Sequence, residues 1–431
     1  MFVEKLRKKF LKPTSILETI ELLLIFSLFV NFHFSLVLGF MIPFTLTHLF
    51  MIIFIGAVLV FKWKRIGSWV VENKVLFSSI TIFLLWSVLA FFWAYYKKDV
   101  IETSVKWGLA LLLIPVFSIV YKDKKNSEKA LKLIFYGGAF LGVLGLFEYL
   151  FMEKSDFLFM WFREVPFHPR VSTTFNNVNS YGAFLSVVSG VGFVLLGNKK
   201  INKKQFFLCE SGIILGIALS GSRNAFLCFL FCITLASFYF RHMKGVVLSF
   251  IVIFLIFIFT VCGFGVSAQR IGLASGKVIP WFDNTVGKFT QFEAVKLEKT
   301  DISTDPSFGV RLDLYKAALR CFIENPFGIG SGNFVYRHTE FLEKVFTVGI
   351  GNFHAHNIFL NILAEQGILG ALFFSTIIFT IIKRGKRSPL LIIFLSVLFV
   401  QQLDFFMNNN AQMIFLFGFS SALSLLKNKD F

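Results

Sequence analysis

Charge is scarce in this chain. Only 16% of its 431 residues are charged, where a soluble domain carries about a quarter. Acids are the scarcer sign, 25 against 43 Lys and Arg, and mean hydropathy is +0.73. This balance excludes a string of soluble domains and intrinsic disorder. The five cysteines exclude a disulfide-stapled secreted module. Four of them lie in apolar runs, where Cys acts as a small hydrophobe, and Cys321 has no partner in its polar loop; neither a disulfide nor a Cys metal site is expected. There is no phosphate-binding glycine loop of the GxxxxGK type, so ATP is not expected. No repeat of 20–50 residues is present, nor two matched halves with paired broken helices, which argues against an inverted-repeat transporter.

What the chain has instead is long apolar runs. Hydrophobic residues make up 56%, with 61 phenylalanines, read as a compositional bias that uses Phe in place of Leu. A spanning helix needs about 20 apolar residues. Runs that approach or meet this are Ile16–Asn31, Phe34–Phe61, Val75–Trp93, Thr103–Val120, Ala130–Phe151, Asn177–Leu196, Phe206–Ser220, Asn224–Phe240, Gly245–Gly263, Asn357–Ile382, Leu390–Leu403 and Ala411–Leu426. The expected fold is an all-α polytopic membrane protein of about twelve transmembrane helices.

The basic residues fall in tracts between these runs: Lys5–Lys12, Lys62–Lys74, Lys122–Lys129, Lys199–Lys204, Arg241–Lys244, Lys383–Arg387 and Lys427–Lys429. With Phe34–Phe61 taken as one span, kinked at Pro43, every tract lies on the same side, the positive-inside pattern. Both termini are then expected in the cytoplasm, with no cleavable leader. A positive charge distributed in this way gives no reason to expect nucleic acid. The opposite side has one medium connection, Met152–Asn176, and one very long one, Phe264–His356, between the ninth and tenth helices. The chain thus divides into helices one to nine (1–263), the large loop (264–356) and helices ten to twelve (357–431). The spacing predicts a helix over Val310–Ile323 with Leu314, Ala317, Ala318 and Cys321 on one face, ended by Asn325-Pro326 and followed by a turn through Gly328, Gly330 and Gly332.

Unusual polar residues gather on the outer side. Arg223 sits in the turn Ser220-Gly221-Ser222-Arg223-Asn224; it is either a snorkelling anchor or a fixed cation for a phosphate at headgroup depth, which a planar guanidinium grips bidentately. Arg311 opens the loop helix, with Tyr315 one turn later. His354 and His356 flank Ala355 where the tenth helix begins, as helix-end residues or as a base for a hydroxyl proton. Asp283, Asp301 and Asp305 read as solvated loop acids, and no metal is expected. Glu18, Glu21 and Glu148 lie in apolar runs, bonded within the bundle or forming an ion path.

Four motifs in this region resemble those of the O-antigen ligase and O-antigen polymerase superfamily of bacterial membrane glycosyltransferases, with the clearest matches between Thr174 and Gly370. Thr174-Phe175-Asn176-Asn177-Val178-Asn179 is similar to the family's Phe-x-Asn-Pro-Asn segment, with Val178 in place of proline. Ser220-Gly221-Ser222-Arg223 resembles its Ser-x-Ser-Arg turn. Arg311 with Asn325-Pro326-Phe327-Gly328-Ile329-Gly330 resembles the Arg helix and Pro-x-Gly-x-Gly turn of its periplasmic loop. His356-Asn357 followed by Gly367 and Gly370 resembles the ligase-type His-Asn signature and is the most specific of the four.

The resemblance implies a twelve-helix enzyme of the bacterial inner membrane, with no cofactor, acting at the periplasmic face. It implies transfer of a glycan from an undecaprenyl-diphosphate-linked donor to a hydroxyl: a sugar of the lipid A core in ligases, a second lipid-linked repeat in polymerases. Arg223 and Arg311 would bind the diphosphate and His356 would be the base, with His354 its substitute. Asn357, Ser222, Tyr315, Asn177 and Asn179 are the candidate supporting residues. Two other classes stay open: a transporter or flippase of lipid-linked sugars, which would account for twelve helices equally well, and a structural membrane protein.

Overall fold

The structure is a computed structural model that describes residues 13–30, 32–37, 41–122, 124–151, 170–240, 306–342, 353–407 and 410–426. The ninth predicted span, Gly245–Gly263, and the first part of the long loop lie outside the described residues. The other eleven apolar runs each contain a helix.

The chain begins with α1 (Pro13–Ser27). A two-stranded antiparallel hairpin follows, β1 (His33–Val37) and β2 (Met41–Thr45), with Ser35 opposite Pro43. The single span expected over Phe34–Phe61 is therefore corrected: its described residues before Leu46 form strands, and only Leu46–Phe61 is helical. Pro43 lacks the N–H a helix interior needs, yet is tolerated on a strand that has a free edge. Helix α2 (Leu46–Phe61) starts only after Thr45, whose side chain accepts from His48 N while the His48 ring bonds the Thr45 amide, a reciprocal cap. Helix α3 (Trp63–Glu72) then turns 93° away from α2 at the basic tract.

The remaining helices are α4 (Lys74–Leu89, continued by a 3-10 turn to Phe92), α5 (Lys97–Val120), α6 (Lys124–Leu150), α7 (Val178–Gly197), α8 (Lys203–Ser220) and α9 (Arg223–Tyr239). After these come α10 (Pro306–Glu324), the short α11 (Phe334–Arg337) with its 3-10 extension His338–Phe341, α12 (Ile358–Gly385), α13 (Leu391–Leu403) and α14 (Ala411–Ser424). Five of the described helices are long and apolar enough to cross a membrane, or six when the bent α2–α3 pair counts as one span. Three shorter apolar helices, α9, α13 and α14, accompany them.

Helix α7 is the axis. All its residues except Asn179 are buried, and α6, α8, α9 and α13 pack around it. Its run of Ser, Gly and Ala permits that closeness: the Ser186 hydroxyl donates to the carbonyls of Gly182 and Ala225. Helices α6 and α8 cross at Gly142 and Gly212, where a side chain on Gly142 would overlap the Gly212 carbonyl. Large apolar side chains also face outward, Phe26, Phe140, Leu208, Phe238 and Phe379 among them. A bundle apolar both inside and outside matches a lipid surround, not water.

The acids inside this bundle have protein partners. Tyr121 donates to Glu21 at 2.7 Å, the Thr173 amide donates to Glu148 at 2.7 Å, and Ser189 donates to Glu210.

Contacts place the described basic tracts, 62–74, 122–129, 199–204 and 383–387, at one end of the bundle; Gly385 lies against Ser424 of α14, whose Phe419 packs on Tyr121. Arg384 bonds Asn73, Tyr239 bonds the Lys386 carbonyl, and Lys200 pairs with Glu128 at 2.9 Å. Helix α12 runs from that end to the opposite one, where a second, smaller core forms. There Ala317, Ala318 and Cys321 of α10 pack with Ile329, Phe334, Phe341, Ala355 and Ala364. The predicted helix face is the one buried: Leu314, Ala317, Ala318 and Cys321 have no exposure.

Two of the motifs interlock beside this second core. Helix α12 is broken at Gly367, which adopts φ +64°. Into the break docks the turn after Pro326: Ile329 N and Gly330 N donate to the carbonyls of Ala364 and Glu365, and Ile368 N donates to that of Pro326. A Cβ on Gly328 or Gly367 would overlap the other segment's backbone, and both have positive φ. The glycines thus serve backbone-to-backbone docking.

Candidate functional site

The site lies where α9 and α12 begin and α13 ends. Asn357 caps α12, its side chain accepting from Phe359 N and Leu360 N. The same amide donates to the Gln402 carbonyl, tying α12 to the end of α13. His356, one residue before the cap, has φ +47°, an uncommon conformation for a residue with a Cβ and one that clusters at functional sites.

His356 Nδ1 lies 2.7 Å from Asp404 Oδ1. Burial alone would raise the Asp404 carboxyl. The hydrogen bond from His356, with the neighbouring His356, His354 and Arg311, outweighs it and holds the group below its ordinary range. An ionised carboxylate only accepts, so Nδ1–H donates; in the neutral imidazole the lone pair is then on Nε2. The Phe405 amide also donates to Asp404 Oδ1, fixing the carboxylate. His354 packs edge-on against His356, ring centroids 4.7 Å apart, and against Phe405. Burial, then the neighbouring His356, push its pKa down to about 4, so it is neutral at neutral pH.

Arg311 reaches this group from α10. Its Nη1 donates to Asn224 Oδ1 at 3.2 Å, and Asn224 Nδ2 donates to the Leu403 carbonyl, one residue before Asp404. Tyr315 stands beside it; burial raises its phenol, the Arg311 charge offsets part of that, and Asp404 adds to it. Arg223 is the first residue of α9, half-buried, directly before Asn224, with Ser222 as the cap accepting from Ala225 N.

Asn177 and Asn179 belong to the same end. Asn177 caps α7. Asn179 accepts from Arg170 Nη2 at 3.0 Å, and Arg170 Nε donates to the Ser220 carbonyl at 2.7 Å. One arginine therefore ties the start of α7 to the turn that carries Arg223.

Arg311, Tyr315, His354, His356 and Asn357 are thus brought together around Asp404, with the α9 N-terminus adjoining. Three participants escaped sequence reasoning: Asp404, Arg170 and the side chain of Asn224. The signal for Asp404 was present, as an acid closing an apolar helix at the end that lacks basic tracts. His354, His356 and Asp404 also present ligand atoms within 4.8 Å of one another, a group with the donor set for a metal ion. The Arg311 cation beside Asp404 already supplies countercharge to that carboxylate.

Fold and site define a multi-pass membrane protein with its candidate chemistry at one end of the bundle. The O-antigen ligase family model matches residues 211–375. The resemblance to the O-antigen ligase and polymerase superfamily therefore holds on a segment containing three of the four motifs, with Thr174–Asn179 lying upstream of it at the start of α7. It marks the chain as a membrane enzyme of the glycosyltransferase type. Among curated proteins none matches the chain.

Proposed function

We propose that the chain transfers a glycan from an undecaprenyl-diphosphate-linked donor to a hydroxyl acceptor at the periplasmic face of the bacterial inner membrane. The reading is ligase, with a lipid A core sugar as the acceptor. The observation that carries it is the His356–Asp404 pair beside Arg311.

The acceptor O–H gives its proton to His356 Nε2 as its oxygen attacks the anomeric carbon of the donor sugar. The bond from that carbon to the diphosphate oxygen breaks, and undecaprenyl diphosphate leaves with the electron pair. A single displacement inverts the anomeric centre. Asp404 holds the imidazole in the Nδ1–H tautomer and stabilises the imidazolium that forms, the role a buried carboxylate plays in hydrolase triads. Arg223 and Arg311 bind the diphosphate and offset its growing charge, most effectively where water is excluded. The N-termini of α7, α9, α12 and α14 favour an anion at the same end. No step uses a metal.

The test is a strain lacking the chain, complemented with wild type, Arg223→Ala or His356→Ala. Surface glycan and undecaprenyl-linked glycan are then separated by gel. Long lipid-linked chains accumulating without surface transfer are the expected result. Single repeat units with no long chains would instead mean polymerase. Repeats trapped on the cytoplasmic side would mean a flippase. Full complementation by both variants would remove the catalytic roles. In vitro transfer is expected to survive chelator; loss restored by a divalent ion would reassign His354, His356 and Asp404 to a metal.

A further inference from the structure

A concavity opens beside the docked glycine turn, and His356 is not among its lining residues. It has a volume of about 620 Å³ and is lined by Trp93, Ala94, Tyr95, Tyr96, Arg337 and Glu340. That volume lies within the range of small-molecule sites. Its two walls come from segments far apart in sequence, the link between α4 and α5 and the start of the segment after the glycine turn.

The walls are held rigidly. Trp93 Nε1 donates to the Gly328 carbonyl at 3.0 Å, and its ring packs against Trp86. Asn333 accepts from the Tyr96 amide at 2.7 Å and donates to the Tyr96 carbonyl. Tyr96 packs against both Tyr95 and Tyr336, and Tyr336 donates to Asp99. Arg337 and Glu340 form a two-pronged pair, Nε to Oε1 at 2.9 Å and Nη2 to Oε2 at 2.6 Å.

Bonded in this way, the aromatic rings remain open to ligand: Tyr95 is 75% exposed and Trp93 44%. Tyr and Trp at a membrane edge often serve only as lipid anchors. An anchor has no need of a planar ion pair in the same groove. A lining more polar than apolar, in which exposed Trp and Tyr side chains stand with a guanidinium and a carboxylate, has a different complement. It fits a pyranose ring, which offers a C–H face to the aromatic ring and hydroxyls to the charged fork.

We propose that this groove is a saccharide subsite, holding sugar residues of the glycan away from the reacting bond. The proposal rests on the glycan-transfer reading above. The groove is joined to α12 through Gly328 and Gly330, which dock at Glu365, nine residues along from His356. That is about 14 Å of helix at 1.5 Å per residue, more than one sugar ring from the base. The sugars could belong to the donor chain or to the acceptor; their chemistry is the same, and kinetics separates them.

The test uses the full chain in nanodiscs. The first probe is lipid-free oligosaccharide released by mild acid from the surface glycan, titrated against intrinsic fluorescence. Tyr95→Ala and Arg337→Lys are expected to weaken binding at least tenfold. His356→Ala, lying outside the groove, should bind as wild type does. In transfer assays Tyr95→Ala should raise KM at least tenfold for one substrate, with kcat little changed. A rise for the donor assigns the groove to the donor chain, and a rise for the acceptor assigns it to the acceptor. Tyr95 has an exposed ring, and Arg337→Lys keeps the charge while losing the fork, so misfolding does not mask the result. Wild-type binding by both variants, or no saccharide binding by the wild type, overturns the groove. Saccharide binding by a wild-type chain that transfers nothing, lost in Tyr95→Ala, would keep the groove and discard the transferase.

Discussion

At the scale of single residues, the pairing of His356 with Asp404 carries the most weight. Asp404→Asn keeps the size and a hydrogen bond but lets the amide donate to Nδ1, which places the imidazole proton on Nε2 and blocks the base. Transfer is expected to fall about 10²–10⁴-fold, the range general-base catalysis contributes, with the melting temperature near wild type. A loss under threefold in a purified transfer assay would show that Asp404 does not orient the base. His356 itself sits at φ +47°, so its position reflects the docking of Asn357 on Gln402 as much as its own preference.

At the scale of elements, the broken helix α12 and the glycine turn form one unit. Gly328→Ala or Gly367→Ala puts a Cβ into the opposing backbone at a positive φ, and each is expected to cost about 1–3 kcal/mol or more. Gly309→Ala is the control: it has open space and lies inside α10, so it should stabilise by about 0.5–1 kcal/mol. Thermal unfolding in detergent compares the three; a neutral Gly328→Ala would contradict the docking. His338 offers a pH test of the same layer. It is buried between Phe334 and Phe353, and burial lowers its pKa below 6.5. The unfolded segment therefore takes up a proton at a higher pH than the folded one. Stability is complete above about pH 6.5 and falls as pH drops from there towards the folded value. Hydrogen exchange at 334–342, corrected for intrinsic rate, should show more frequent opening at pH 5.5 than at 7.5, and His338→Phe should flatten the difference.

At the scale of the whole molecule, the bundle has a basic end and a site end. Single cysteines in an otherwise cysteine-free chain test which side each faces. A cysteine at Glu324, beside the Asn325 turn, should react with an impermeant maleimide in intact spheroplasts. One at Lys64, in the basic tract, should react only after permeabilisation. The reverse pattern would invert the orientation and, with it, the periplasmic placing of the transfer. The opposed glycines at Gly142 and Gly212 and α7, buried but for Asn179, show that the bundle is held by close backbone approach, not by apolar burial alone, as expected where lipid is as apolar as the core.

Composition and periodicity by themselves determined the membrane class, the position of nearly every described helix and the buried face of α10. Each depends on neighbours within a few residues: the length of an apolar run, a 3.6-residue spacing, a proline or glycine that stops a helix. The hairpin at 33–45 escaped because apolar runs without periodicity fit strand and helix alike; Pro43 and the Thr45 cap decided it. Asp404 lies 48 residues from His356, and Arg311 lies 87 from Asn224. No local pattern relates such pairs. Only the packing of α12 and α9 against α13 and of α10 against α12 brings them within hydrogen-bond reach, and so only the tertiary structure decided that one imidazole, one carboxylate and one guanidinium share a site.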